Sequence, residues 1–314
     1  MNRRTLLWTL ILLLFSALAA GATDVVLPPI EDVPQENATP LVEPALDVQT
    51  AFDETSKSAP SLQAPPLETL VVDDSEFARI NWTEDYVEAS GQAVPPDGKE
   101  NTPQGKLLAR RGAVVDLQRN LLEFIQGVKV DAKTTMTDFM VRDEVRTSVQ
   151  GLIKAVEIEE GSWDGEVYTV KGRVKLEKIR AALLPALPVK PTVKTVPTQK
   201  PKSGGSSGLL VDVRHLPLIP ALTFRVVDEK GKEVYGLAFA DQERFLSSGL
   251  CDYHTNIAYA KGAPRIAASP LVIKAVRTLS PENVDIVISN SDAARIRGNS
   301  FDFRIPCRVT VVKR

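Results

Sequence analysis

The stretch Leu107–Val130, LLARRGAVVDLQRNLLEFIQGVKV, decides how the first half of this chain folds. Projected at about 100° per residue, Ala113, Val114, Leu117, Leu121, Phe124 and Ile125 fall on one sector, and Leu107, Val115 and Leu122 widen it. Asp116, Arg119, Asn120 and Glu123 take the opposite side. The stripe predicts an amphipathic helix from about Pro103 to Ile125, whose broad apolar face needs a sheet or a second helix to cover it. Gly127 stands where a left-handed C-terminal turn would end that helix. The pair Arg110 and Arg111 raises the question of a binding motif. Arg110 projects inside the apolar sector, between Leu117 and Leu121, and Arg111 lies at its flank with Gln118. Their stems can cover apolar surface while the charged heads reach water or an acid, so the expected role is structural.

Working outward, INWTEDYVEASGQAV is rich in strand formers and stops at Pro95-Pro96, predicting a strand over about Trp82–Gln92. After the helix, DFMVRDEVRTSVQGLI sets Val141, Val145, Val149 and Leu152 on a second helical stripe that closes near Gly151. The next segment alternates, with Val156 and Ile158 on one strand and Tyr168, Val170, Val174 and Leu176 on another, joined across Gly161–Gly165. These elements make an α+β layer, a small sheet with two packed helices, over residues 79–184. Residues 209–314 read as a mainly β C-terminal domain. Its strand patterns lie in LLVDVRHL, ALTFRVVDEKGKEVYGL with a hairpin turn at Glu229-Lys230-Gly231, PLVIKAVRTL, VDIVIS and FDFRIPCRVTVVKR. One short helix is expected through DAARIR, capped by Asn290 or Ser291.

The remaining segments are connectors. Residues 1–22 carry Arg3 and Arg4, an apolar run from Leu6 to Phe15, and small residues suited to cleavage at Ala17-Leu18-Ala19 or Ala20-Gly21-Ala22. That is the pattern of a secretory signal, and the run falls short of the ~20 apolar residues a spanning helix needs. Residues 23–78 hold twelve Asp or Glu against Lys57 alone, with scattered prolines and no apolar period, as in a disordered acidic arm. Residues 185–208, first Pro and Lys rich and then Gly and Ser rich, read as an interdomain linker. The expectation is an exported chain of the periplasm or cell envelope with no transmembrane segment after signal cleavage. The formal net charge of −2 gives no footprint for nucleic acid.

Residues about 80–184 resemble a small envelope domain found in a family of bacterial surface lipoproteins and shared with the N-terminal domain of the flagellar assembly protein FlgT. The resemblance is carried by ARRGAVVDLQRNLLEFIQGVKV, VQGLIKAVEIEE and GEVYTVKGRVKL, in particular by Ala109, Arg110, Ala113, Asn120, Leu121, Leu122, Glu123 and Gly127. Through LLVDVRHLPLIPALTFRVVDEKGKEVYG and VDIVISNSDAARI, the second unit resembles the C-terminal part of uncharacterised members of the same group. The resemblance implies an exported envelope protein of an assembly or surface structure and supplies no catalytic residues. The lipid-bearing cysteine of those lipoproteins has no counterpart near the cleavage site.

Soft ligands are confined to the second unit: His215, Cys251, His254 and Cys307. In an exported protein Cys251 and Cys307 are candidates for a disulfide, which would stabilise by on the order of 4 kcal/mol if unstrained. Free thiols and a Cys2His2 zinc site using Cys251, His254, His215 and Cys307 are the alternatives. No GxxxxGK[ST], GxSxG or HExxH string occurs, no cofactor is called for, and the carboxylates sit in turns or on exposed strand faces. Trp163 either offers a recognition surface or folds back on the sheet. The leading expectation is a non-catalytic envelope protein that works by contact with envelope or flagellar-type proteins. The rival is a metal- or small-ligand-binding protein centred on the Cys and His residues.

Overall fold

The computed structural model describes residues 70–188 and 205–314. The expected signal, most of the acidic arm and the middle of the linker lie outside the described residues. The architecture is α+β: an antiparallel sheet packed with helices comes first, then parallel and mixed sheets with short helices.

The first part comprises β1 (Val72–Asp74), β2 (Ala78–Asn81), β3 (Tyr86–Ala93), α1 (Pro103–Gly127), α2 (Met136–Phe139), α3 (Asp143–Lys154), β4 (Glu157–Trp163), β5 (Tyr168–Lys175) and α4 (Leu176–Leu183). The strands form one sheet in the order β1-β2-β3-β5-β4, antiparallel throughout. Thr102 starts α1, its hydroxyl accepting from Gly105 N at 3.0 Å, and Pro103 follows where no N–H is needed. The buried row is Ala109, Ala113, Leu117, Asn120, Leu121 and Ile125. It lies on strand residues chosen for smallness. A Cβ added at Gly91 would stand 2.1 Å from Leu117 N and 2.2 Å from Ala113 O, and one at Gly172 would stand 2.8 Å from Leu117 Cδ2. Helix backbone thus rests almost directly on strand backbone.

That close seat changes two expectations. Asn120, expected on the solvent side, is buried and donates to Ser90 O at 2.9 Å, while Asp116 accepts from Gln92 N at 3.0 Å. These polar groups satisfy backbone atoms of β3 beside the groove, which is why they face inward. Leu107 and Val115, expected to widen the apolar face, are 60% and 65% exposed, because a helix gripped along one narrow row leaves its flanks in water. Arg110 and Arg111 are exposed as well, and among the described residues neither takes a hydrogen-bonding or ionic partner. Gly127 is the last helical residue, not a left-handed cap: Val128 continues in extended backbone and donates to Ile125 O. The chain needs that extended exit, since Val128 O accepts from Met136 N and Lys129 bridges Thr135.

Other boundaries shift for local reasons. The expected strand from Trp82 begins only at Tyr86, because Asn81 Oδ1 accepts from the N–H groups of Thr83 and Glu84 and closes a tight turn, with Asp85 at φ 65°. β1 occupies residues expected in the acidic arm. The second helical stripe breaks in two: Val141, between α2 and α3, is 79% exposed, and Val145, Val149 and Ile153 form the buried face of α3. In the β4–β5 hairpin the turn is Asp164–Val167, Asp164 Oδ1 accepting from Glu166 N and Val167 N with Gly165 at φ 115°, so Gly161–Trp163 belong to the strand. Leu176 opens α4, a helix the alternation did not announce.

The second part comprises β6 (Leu209–Asp212), β7 (Val226–Asp228), β8 (Glu233–Tyr235), α5 (Gln242–Ser248), β9 (Asp252–His254), α6 (Ile257–Lys261), β10 (Leu271–Lys274), β11 (Arg277–Thr278), β12 (Ile286–Ile288), α7 (Asn290–Arg297) and β13 (Val309–Val312). The order β10-β6-β13-β9 makes a parallel sheet, and β11-β12-β7-β8 a mixed one. The β7–β8 hairpin turns as expected, with Gly231 at φ 78° and Asp228 Oδ1 accepting from Lys230 N and Lys232 N. Helix α7 is present, but Ser289 caps it, accepting from Asp292 N at 3.0 Å. Helices α5 and α6 and strand β9 are additional to the expected elements. Residues 301–307, expected as strand, are turns.

The two parts share one continuous core. Three groups of polar contacts cross the seam. Leu222 N and Thr223 N donate to Lys129 O and Val130 O. Thr83 Oγ1 donates to Tyr253 O at 2.6 Å, beside an edge-on contact of Trp82 with Tyr253. Arg180 of α4, its side chain 3% exposed and held within the first part by both oxygens of Asp85 at 2.6 Å, donates across the seam to Leu246 O. Ser206–Gly208, expected in the linker, are already tied to the second part through Asn299 and Ile266.

Candidate functional site

Parallel pairing of β9 with β13 sets Thr310 beside Asp252, and so brings the residues ahead of both strands, Cys251 and Cys307, to the same end of the sheet. Both line a cleft of about 550 Å³ at the seam, with Trp82, Thr83 and Asp85 on one side and Arg244, Arg265 and Arg308 on the other. Arg265 is fixed there by three backbone carbonyls: Nε donates to Cys307 O at 2.8 Å, and the terminal nitrogens donate to Ser248 O at 2.7 Å and Gly249 O at 2.6 Å.

The expected disulfide is not formed in the structure; both cysteines are free thiols. Cys307, in the left-handed region at φ 51°, directs its Sγ to Ile305 O at 3.8 Å, which turns the thiol toward its own loop. Burial pushes the Cys251 thiol well above its ordinary value, and the Arg265 charge offsets only part of this. Burial raises Cys307 too, against the pull of the Arg265 charge. Thiols held protonated in this way are poor nucleophiles.

The four soft ligands are not brought together. His215 is exposed in the turn after β6. His254 is buried on β9, with Nε2 3.3 Å from Asp252 Oδ2, its ring against Tyr259 and its Nδ1 without a partner. Asp252 also accepts from Thr310 Oγ1 at 2.5 Å. Burial would raise the Asp252 carboxyl, but the hydrogen bond from His254 and the Arg265 charge hold it below its ordinary range. Among the described residues, no group of three or more His, Cys, Asp or Glu side chains stands ready to hold a metal ion. Trp163 is half-buried at the end of β4, beside Tyr168 and beneath Lys106 Nζ, so the ring folds onto its own hairpin.

Sequence reasoning missed two features. One is the arginine side of the cleft just described, whose members come from α5, the loop after α6 and the approach to β13. The other is a groove of about 600 Å³ between β2, the C-terminal half of α1 and the Ile219-Pro220 loop. Phe77 and Ile219 stand in it 43% and 42% exposed, flanked by Phe124 and Trp82. Phe77 lies in a stretch that composition assigns to the acidic arm, so only its aromatic character amid acids could have marked it.

A fold of this kind defines a class, an α+β layer joined to a parallel sheet, without fixing an activity. Residues 208–313 are similar to a family described as Treponema pallidum Tp0624, second domain. This likeness covers about a third of the chain and lies in the second part. No curated protein matches the chain. No helix among the described residues is long and apolar enough to cross a membrane.

Proposed function

We propose that this is an exported, non-catalytic cell-envelope protein that works by protein–protein contact, in the assembly of a flagellar or surface structure. The observation that carries the contact reading is the groove holding Phe77 and Ile219. It combines exposed apolar side chains with a free strand edge, because β1 pairs only with β2 among the described residues. That combination suits an extended partner segment that adds main-chain hydrogen bonds along the edge and seats an apolar side chain beside Phe77. Export is supported by the leader pattern of residues 1–22, and the assembly role by the resemblance of residues 80–184 to the lipoprotein and FlgT N-terminal domain.

A photo-crosslinking amino acid at Phe77 or Ile219, in cells that make the full chain, tests the reading. The expected result is one discrete adduct from both positions and none from Val141, which is more exposed than either but lies off the groove. Equal labelling at all three positions, or a chain that stays unprocessed inside the cytoplasm, would overturn it.

A further inference from the structure

The cleft at the seam carries charge that the fold does not use. Its two carboxylates are occupied: Asp85 gives both oxygens to Arg180, and Asp252 is engaged by Thr310 and His254. Among the described residues none of the arginines facing them makes an ion pair, although the Arg265 charge also acts on Asp252. Arg265 spends three of its N–H groups on neutral carbonyls, which orient the guanidinium, leave its charge in place and keep one N–H free on each terminal nitrogen. Arg308 lies over the Phe301 ring at 5.2 Å, a contact that uses the face of the guanidinium and leaves its edge donors available. The Arg244 side chain, exposed on α5, has no hydrogen-bonding or ionic partner among the described residues. The charges converge, since Arg244, Arg265 and Arg308 all line this one cleft.

We propose that this cleft is a binding site for a multiply charged oxyanion, a phosphate ester or a polycarboxylate, held by Arg244, Arg265 and Arg308. Guanidinium groups are matched to such ligands because their paired donors meet two oxygens at once. Arg265 forms the fixed floor of the site, and Arg244 and Arg308 close on the ligand from the rim. This site is separate from the groove around Phe77, so it adds a small-ligand function to the proposed contact role and does not depend on it.

Calorimetric titration of the full chain with pyrophosphate and, separately, with citrate at matched ionic strength tests the proposal. Saturable binding of at least one is expected, and the stronger of the two identifies the source as phosphate or carboxylate. The double variant Arg244→Gln/Arg308→Gln should weaken it by at least tenfold. Arg277→Gln, which changes an exposed arginine of β11 outside the cleft, should leave it unchanged. Should the double variant lose its far-UV dichroism, the exposed Arg244→Gln alone serves, with a several-fold loss expected. Alkylation of Cys251 should slow at saturating ligand in the wild type only. The proposal is overturned if neither anion binds saturably, or if the arginine variants that fold bind as tightly as the wild type.

Discussion

One helix organises residues 70–188, while residues 205–314 contain no helix or strand longer than eight residues. Helix α1 runs for 25 residues and meets the sheet along a single row, so its register is written in its own repeat and its main seat, β3, lies just ahead of it in sequence. The parallel sheet works differently. Strand β6 lies between β10 and β13, and each of its four residues finds partners far along the chain. The first part is held by one close backbone contact, the second by many small agreements between distant segments, and the seam makes them share a core.

That contrast can be broken most forcefully at Gly91. A valine there would drive Cβ into the backbone of Leu117 and Ala113, which cannot yield as a side-chain tip would. Gly91→Val should cost more than about 4 kcal/mol and leave the first part unfolded, read as lost helical dichroism in urea. Near-wild-type stability would mean that α1 does not sit against β3 as described. Arg180→Met tests the seam. It strands the Asp85 carboxylate and removes the bond to Leu246 O across the seam, and because Asp85 is 36% exposed the loss falls below that of a fully buried pair, at about 2–3 kcal/mol. Scanning calorimetry should show the single transition broadening or dividing in two; an unchanged single transition would show that the shared apolar core suffices.

The smallest effect lies within the first sheet. Glu88 of β3 bridges Arg79 at 2.9 Å and Arg173 at 2.7 Å. Burial would raise its carboxyl, but the Arg173 hydrogen bond and the two charges prevail and hold it below its ordinary 4.5. A lowered folded pKa means that the contribution is present above the unfolded value and fades as pH falls through the folded one. Glu88→Gln should therefore cost about 1–2 kcal/mol at pH 7, and the cost should shrink as pH falls through that lowered value. Melting curves at a series of pH values check this, and a mutant deficit that stays constant from pH 7 to pH 3 would refute the ionic account.

The same contrast explains what could be read from the amino acids alone. Helix α1 and the β4–β5 hairpin were legible because each spans enough residues to show its period. Strands such as β12 and β13 are buried on both faces, so Ile286–Ile288 and Val309–Val312 show no alternation from which to infer a partner or a direction. The Trp82–Asp85 turn escaped notice because its turn former, Asn81, sits inside a run of strand formers. Of the candidate site, the cysteines were visible as a pair and the structure does bring them to one cleft. The arginines were not, since Arg244, Arg265 and Arg308 share no spacing and meet only through the parallel sheet and its connecting loops.

The hairpin turn from Trp82 to Asp85 has one more implication. In most proteins such a four-residue corner is free to vary, since only its own two strands depend on it. Here Trp82 meets Tyr253, Thr83 bonds the Tyr253 carbonyl and Asp85 receives Arg180, so the corner answers to both halves at once. In evolutionary terms it should drift no faster than the core. A change at Asp85 is expected to travel with a change at Arg180, and one at Trp82 with a change at Tyr253.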